Sequence, residues 1–408
     1  MKTMMIAMSM RLLLMSCQPN RQQPAAVFPG IPSMEWTKQL TVEVVNPNKH
    51  QLAHVPVSIP ISAFKLDPMP FLELGHFRVY DVQTGEMPLY QVDDLDGEGT
   101  GADEIVFLTS LKPDEKRIYH LQFFKEFKAW PQQDRYTDAT NMPGWESELF
   151  GYRSYGPFVL DMFAKYKSKP GLVLKTFYNE SNKQIYNYHV DSPLGMDILH
   201  VGPTIGLGGI ALKGNDQVYL PAAGALSCKV IASRPVRSIV TMQKDSWENE
   251  IGTFHLHRTA TIYAHHFECR IKDVITVVNL KSRSAVFFGT GIKKEENMDY
   301  VADPAKGLFL LWYSQPMYDI DEMGMGIYLV HPAAFQLAAD DKNHFYLSNQ
   351  SVQAANSIEY EFIAFGAWQR AGYVTNMETF KNFANEVIAL DLPLNINILD
   401  LQLSTKKE

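Results

Sequence analysis

Residues 253–264 read TFHLHRTATIYA, and after a short HHFE stretch residues 269–278 read CRIKDVITVV. Across 253–268 His255, His257, Thr259, Thr261, Tyr263 and His265 fall two apart, so an extended chain places them on one face. Alternation of this length predicts antiparallel strands. The same reading extends outward to GLVLKTFY (171–178), VYLPAAGALSCKVIA (218–232), SIVTMQKDSW (238–247), AVFFGTGI (285–292), GIYLVHP (326–332) and YEFIAFGAW (360–368). So many strands over residues 144–405 predict one large sandwich of two curved sheets, and the fold class is all-β. One helix is expected at 376–389, capped by Asn376, with Phe380, Phe383, Val387 and Ile388 as its apolar stripe.

Upstream, LTVEVVNP (40–47), HVPVSIPIS (54–62), FRVYDV (77–82), EIVFLTSL (104–111) and RIYHLQFF (117–124) predict a smaller β-sandwich over residues 36–128. Periodicity is lost across 127–143, where the boundary between the two falls. Residues 17–35 are polar and Pro-rich and read as a flexible tether. Residues 1–16 (MKTMMIAMSMRLLLMS) combine a basic start with an apolar run directly before Cys17, the pattern of a bacterial lipoprotein signal. Arg11 interrupts that run, and an ordinary secretory signal or an internal start are the other readings. The expected location is the cell envelope, with Cys17 lipidated and the membrane met through that anchor alone.

The 408 residues carry 37 Lys+Arg against 45 Asp+Glu, a net charge of -8, and loss of residues 1–16 makes it -10. Such a field repels phosphate, which disfavours nucleic acid as a partner and leaves any anionic ligand to a local basic pocket. Three cysteines exclude a disulfide scaffold; Cys228 and Cys269 are taken as unpaired. No GxSxG elbow, HExxH helix or CxxC pair occurs, so those hydrolase, zinc-protease and redox templates receive no support.

Four stretches carry candidate chemistry. In QVDDLDGEGTGADEIVFL (91–108), Asp94, Asp96, Glu98 and Asp103 stand among glycines, either a shortened calcium loop or an acidic hairpin that stays solvated. In GWESELFGYRSYGPFVLDMFAK (144–165), a strand over 152–157 puts Arg153 and Tyr155 on one face. There a guanidinium grips a carboxylate and a phenol beside it exchanges protons, although a salt bridge from Arg153 to Glu146 or Glu148 reads equally well. In YNYHVDSPLGMDILHVGPTIGLGGIAL (186–212), His189 and Asp191 form a candidate oriented acid/base pair, with Asp197 and His200 nearby. In 253–268, His255 and His257 leave zinc open, while the polar face suits sugar hydroxyls better. Scattered His, Tyr, Trp and carboxylates on long strands suit carbohydrate rings.

The motifs WESELFGYRSYGP, SPLGMDILHVGPTIGLGGIAL and QVDDLDGEGTGADEIVFL, with the late FGAWQRAG, resemble an uncharacterised-domain family of secreted bacterial proteins encoded among polysaccharide-degradation genes. That family is similar to the galactose-mutarotase-like supersandwich folds of several polysaccharide lyases, and to an oligosaccharide dehydratase acting on ulvan fragments. The resemblance implies β-elimination on a uronic-acid oligosaccharide, and the density of ionisable residues within these motifs makes Arg153 the candidate for the carboxylate, His189 for the base and Tyr155 for the acid. Trp145, Glu148, Asp197 and His257 are the expected substrate-orienting residues. No cofactor is required beyond the open calcium reading. A non-catalytic glycan-binding lipoprotein, or a sugar epimerase or hydrolase on the same scaffold, are the alternatives.

Overall fold

The computed structural model describes residues 36–66, 73–96, 101–128, 133–154, 158–177, 187–222, 226–315, 317, 320–352 and 356–404. The signal, the tether, Cys17, Glu98 and Tyr155 lie outside these residues. The described residues form one compact body, within which a small and a large sandwich are distinguished. Every strand pairing described is antiparallel, and the class is all-β.

The small sandwich packs a four-stranded sheet, in the order Asn395–Leu403, Lys38–Val45, Lys116–Phe123, Phe77–Asp81, on a three-stranded one of Leu52–Pro60, Glu104–Leu111 and Tyr90–Asp93. Leu40, Val42, Val57, Phe77, Phe107 and Leu121 fill the space between them. The last described strand thus lies against the first, Leu40 opposite Leu401.

The large unit is a supersandwich. Its eight-stranded sheet runs Ser227–Ser233, Arg237–Asn249, Gly252–Tyr263, Cys269–Leu280, Ser357–Trp368, Glu322–Leu329, Leu308–Ser314, Asp299–Asp303. Facing it are two five-stranded sheets, one of Met196–Asp197, Leu160–Ala164, Phe150–Ser154, Gly144–Ser147 and Thr137–Thr140. The other comprises Gln217–Tyr219, Ala211–Gly214, Phe287–Lys293, Asn343–Ser348 and Phe335–Ala339. Leu207 stitches the two together by bridging Leu160 and Ile292. Phe254, Leu256, Ala260 and Ile262 point inward to meet Phe150, Tyr152, Leu160 and Met162. Period 2 therefore dictates the outward set: His255, His257 and Thr259 on one sheet; Glu146, Arg153, Asp161 and Asp197 on the other.

The helix forms over Met377–Leu390, Asn376 accepting from Thr379 N at 2.9 Å. Phe380, Ala384 and Val387 cover the outer face of the eight-stranded sheet at Leu310, Ile363 and Phe365. Two segments depart from the sequence reading. The expected strand at 171–178 is instead the short helix Leu174–Phe177, because the buried Glu146 carboxylate accepts from Val173 N and Leu174 N, both at 2.9 Å. The expected strand at 218–232 divides into Gln217–Tyr219 and Ser227–Ser233, with Pro221, which cannot donate to a ladder, between them.

At the junction of the two units, Gln91 Oε1 accepts from Val236 N and Arg237 N, and the Arg237 guanidinium meets Asp93 at 2.7 Å and also Glu104. Val106, Leu108, Val236 and Ala264 close the contact with apolar surface.

Candidate functional site

A cluster of ionisable groups lies on the outer face of the first five-stranded sheet. Arg153 and Asp161 are cross-strand partners on the adjacent strands Phe150–Ser154 and Leu160–Ala164. Asp197 comes from the edge strand beside them, where it pairs with Phe163. Tyr152, Met162 and Met196 fill the core side of the same strands, so alternation forces the three charged side chains outward.

The segment 187–200 folds over this face. Asp197 N donates to Tyr188 O at 2.9 Å, and Ile198 N to Met162 O at 2.9 Å. Gly195 is needed where it stands: its φ is +96°, and a Cβ there would fall 1.9 Å from Ala164 O. The Tyr188 ring lies 5.4 Å from the Arg153 guanidinium and 4.3 Å from the His189 ring. His189 Nδ1 then meets Asp197 Oδ2 at 3.4 Å. This atom is buried although 32% of the side chain is exposed.

Beyond His189, His200 N donates to Gln315 Oε1 at 3.3 Å, Gln315 Nε2 to Ile198 O at 2.7 Å, and Lys293 Nζ to His200 O. Lys293 also pairs with Glu295.

Electrostatics distinguish the roles. Burial holds the His189 imidazole below its ordinary 6.5; Asp161 works against that shift, while Arg153 and His200 reinforce it. His189 is therefore neutral near pH 7, with Nδ1 on the side of the ring that faces Asp197. Burial, and then the charge and hydrogen bond of Asp161, push Asp197 well above the usual carboxylate range, with Leu199 N and Arg153 pulling the other way. Two carboxyl groups that hydrogen-bond to each other must hold a proton between them. Replacing Asp161 with Asn should let Asp197 ionise directly against His189 and raise the imidazole pKa. The acidic limb of a pH–rate profile, and the His189 ring titration by NMR, should both move upward. An unchanged or lower titration would contradict the shared proton.

Several expected site residues belong elsewhere. Asp191 does not touch the imidazole of His189: its carboxylate takes Tyr166 OH at 2.7 and 2.8 Å and Arg370 Nη1 at 2.8 Å, and Asp197 faces the ring instead. Trp145 is an inter-sheet core residue, fully buried, whose Nε1 donates to Cys269 Sγ at 2.8 Å. Glu148 is committed to His265, at 2.7 Å from its Nδ1. His257 lies on the outer face of the other sheet, across the whole sandwich, cross-strand from Val274. Glu146, an alternative partner for Arg153, pairs with the buried Lys165. Cys228 and Cys269 are both free thiols.

In the glycine-rich turn, Asp103 Oδ2 accepts from Leu95 N at 2.6 Å, and Asp103 N donates to Asp93 O at 2.7 Å. Among the described residues no group of three or more His, Cys, Asp or Glu is arranged to hold a metal ion. No described helix is long and apolar enough to cross a membrane.

Asp161 stands among the dense ionisable residues of 144–165 but carries no role in the sequence reading, and Gln315 is absent from it. Asp161 had a signal, since it alternates with the core residues Leu160 and Met162; Gln315 had none.

A small sandwich joined to a supersandwich that carries a His–Asp–Asp–Arg cluster on an outer sheet face defines the class. The chain belongs to the family described as domain of unknown function DUF4861, which matches residues 44–396. It is 24% identical over 193 residues to an uncharacterized protein P7 of Formosa agariphila, covering 42% of this chain and 48% of that one. Among solved structures it resembles a protein in glycosyl hydrolase family 38 from Enterococcus faecalis, with a TM-score of 0.50 and 9% identity over 88% of this chain and 47% of the other. An alpha-mannosidase from Enterococcus faecalis V583 gives a TM-score of 0.48 at 9% identity, covering 91% and 46%. The chain spans about half the length of these relatives. At such identity the likeness is one of fold.

Proposed function

We propose that the chain is a carbohydrate-active enzyme that performs β-elimination on uronic-acid-containing oligosaccharides, ulvan fragments being the expected class. The observation that carries this reading is His189, a neutral imidazole with Nδ1 turned to Asp197 and about a third of its side chain exposed, folded over the sheet face that bears Arg153. His189 Nε2 takes the proton on carbon 5 of the uronate. Arg153 offsets the charge that builds on the carboxylate as that carbon–hydrogen bond breaks. The electron pair forms the C4–C5 double bond and expels the oxygen on carbon 4, which leaves as water or as a sugar hydroxyl once protonated. Tyr155 is the residue assigned to that protonation. Export and lipidation at Cys17 complete the proposal, since an acidic polysaccharide is met outside the cytoplasm.

Incubation of the chain from Trp36 onward with a panel of uronic-acid oligosaccharides tests this directly, with and without calcium because of Asp94, Asp96, Glu98 and Asp103. Elimination creates a conjugated chromophore. A product lighter by one water, with new ultraviolet absorbance, is the expected result; shorter unsaturated fragments would make it a lyase. New reducing ends without the chromophore would replace elimination by hydrolysis. Binding without turnover would leave a glycan-binding protein.

A further inference from the structure

His189 sits on a segment whose outer side is held by one side chain from a distant part of the sequence. Arg370 follows the Ser357–Trp368 strand, in the turn Gln369–Ala371. Its Nη1 donates to Asp191 Oδ2 at 2.8 Å and its Nε to Asp321 Oδ2 at 2.8 Å, so the planar fork bridges two loops. The guanidinium lies 5.2 Å over the Trp368 ring. Tyr166, two residues beyond the Leu160–Ala164 strand that carries Asp161, donates its hydroxyl to the same Asp191 carboxylate and packs 5.3 Å from Trp368. Lys167 N donates to Ala371 O at 2.9 Å, tying the two turns by backbone as well. Asp191, two residues beyond His189, thus receives donors from both sides.

Magnitude separates a structural role from a positioning one. Arg370, Asp191 and Asp321 are 27%, 34% and 45% exposed, and ion pairs so open to water contribute little to stability. Geometry is the larger stake. The His189 Nδ1–Asp197 contact is already 3.4 Å long, and displacement of a reacting group by about 1 Å costs on the order of 10²-fold in rate.

We propose that Arg370 is a positioning residue: stacked on Trp368 and braced by Asp321, it grips Asp191 and thereby sets His189 against Asp197. The proposal rests on the reading of His189 as the base only for its effect on turnover; its effect on the imidazole is independent of substrate.

Two readouts on the whole chain keep those apart. The first is the nitrogen-15 spectrum of the His189 ring, at a pH where the ring is neutral, which reports which nitrogen carries the proton. In the wild type one tautomer, Nδ1–H, is expected; R370Q and D191N should each give a mixture. The second is the split of steady-state constants. R370Q and D191N should each lower kcat by about 10–100-fold, with KM changed less than threefold. The double variant should be no worse than either single one, since both residues act through one contact. Thermal midpoints should stay within about 2 °C of wild type, as the small ion-pair contribution requires. A single Nδ1–H tautomer retained in R370Q would overturn the proposal, whatever the activity. A mixture in R370Q together with an inactive wild type would uphold the latch and remove the elimination reading instead.

Discussion

Replacing His189 with glutamine is expected to lower kcat on a uronic-acid oligosaccharide by about 10²–10⁴-fold, the usual contribution of a positioned proton-transfer group. Stability should barely change, because a third of the side chain is exposed and its contact with Asp197 is long. The pH dependence follows from the same environment. An imidazole held below its ordinary 6.5 by burial stays an unprotonated base over the neutral range. Activity should therefore be retained above that region and be lost as pH falls through a value below 6.5, where imidazolium has no lone pair to accept a proton. The glutamine variant should lose both the rate and that acidic limb. Steady-state assays across pH, with the circular-dichroism spectrum as a folding control, check it. A variant that turns over within threefold of wild type would remove His189 from the chemistry.

How much of this was legible beforehand depends on what kind of order is asked for. Alternation in 253–264 gives strands, and the number of such runs gives the sandwich; the structure agrees because period 2 is a local property of the backbone. Which face is the core is not local. Trp145 and Glu146 are neighbours on one strand, and sequence favoured the aromatic as a ligand contact; the structure places Trp145 between the sheets and Glu146 outward on Lys165. Arg153 and Asp161 share a face through strand pairing, but pairing is a matter of register across chain segments. The partner of His189 is set by a loop path that turns on Gly195, so the nearer carboxylate in sequence, Asp191, loses to Asp197. The strand expected at 171–178 failed for the same reason, a tertiary capture by Glu146 that no propensity records.

One residue left unremarked in the sequence carries a larger stability effect than any in the site. Arg258 occupies an inward position between Leu256 and Ala260, wholly buried between the sheets. Its signal was present: Asp273 is also inward, between Ile271 and Ile275, and the two are direct cross-strand partners. Nε meets Asp273 Oδ1 at 2.6 Å and Nη2 meets Oδ2 at 2.7 Å, a bidentate fork with Phe158 and Phe362 rings at 5.7 and 5.6 Å. The remaining donors reach across to the facing layer, to Phe158 O and to Gly208 O, the latter at 2.7 Å. Both acceptors need holding. Phe158 stands at φ 60°, a left-handed conformation that a bulky residue adopts only under constraint, and Gly208 at φ 65° packs so closely that a Cβ would fall 2.8 Å from Phe362. Phe158 leads into the Leu160–Ala164 strand, so the same guanidinium that closes the core anchors the strand bearing Asp161. Arg258→Met is expected to destabilise by about 3–5 kcal/mol, because it strands the Asp273 carboxylate in apolar surroundings. Adding Asp273→Leu should recover part of that loss and not all, since the carbonyls of Phe158 and Gly208 stay unsatisfied at about 1–3 kcal/mol each. Urea denaturation of the three proteins reads both differences. A single variant within 1 kcal/mol of wild type, or a double variant no better than the single one, would show that the pair does not carry the core.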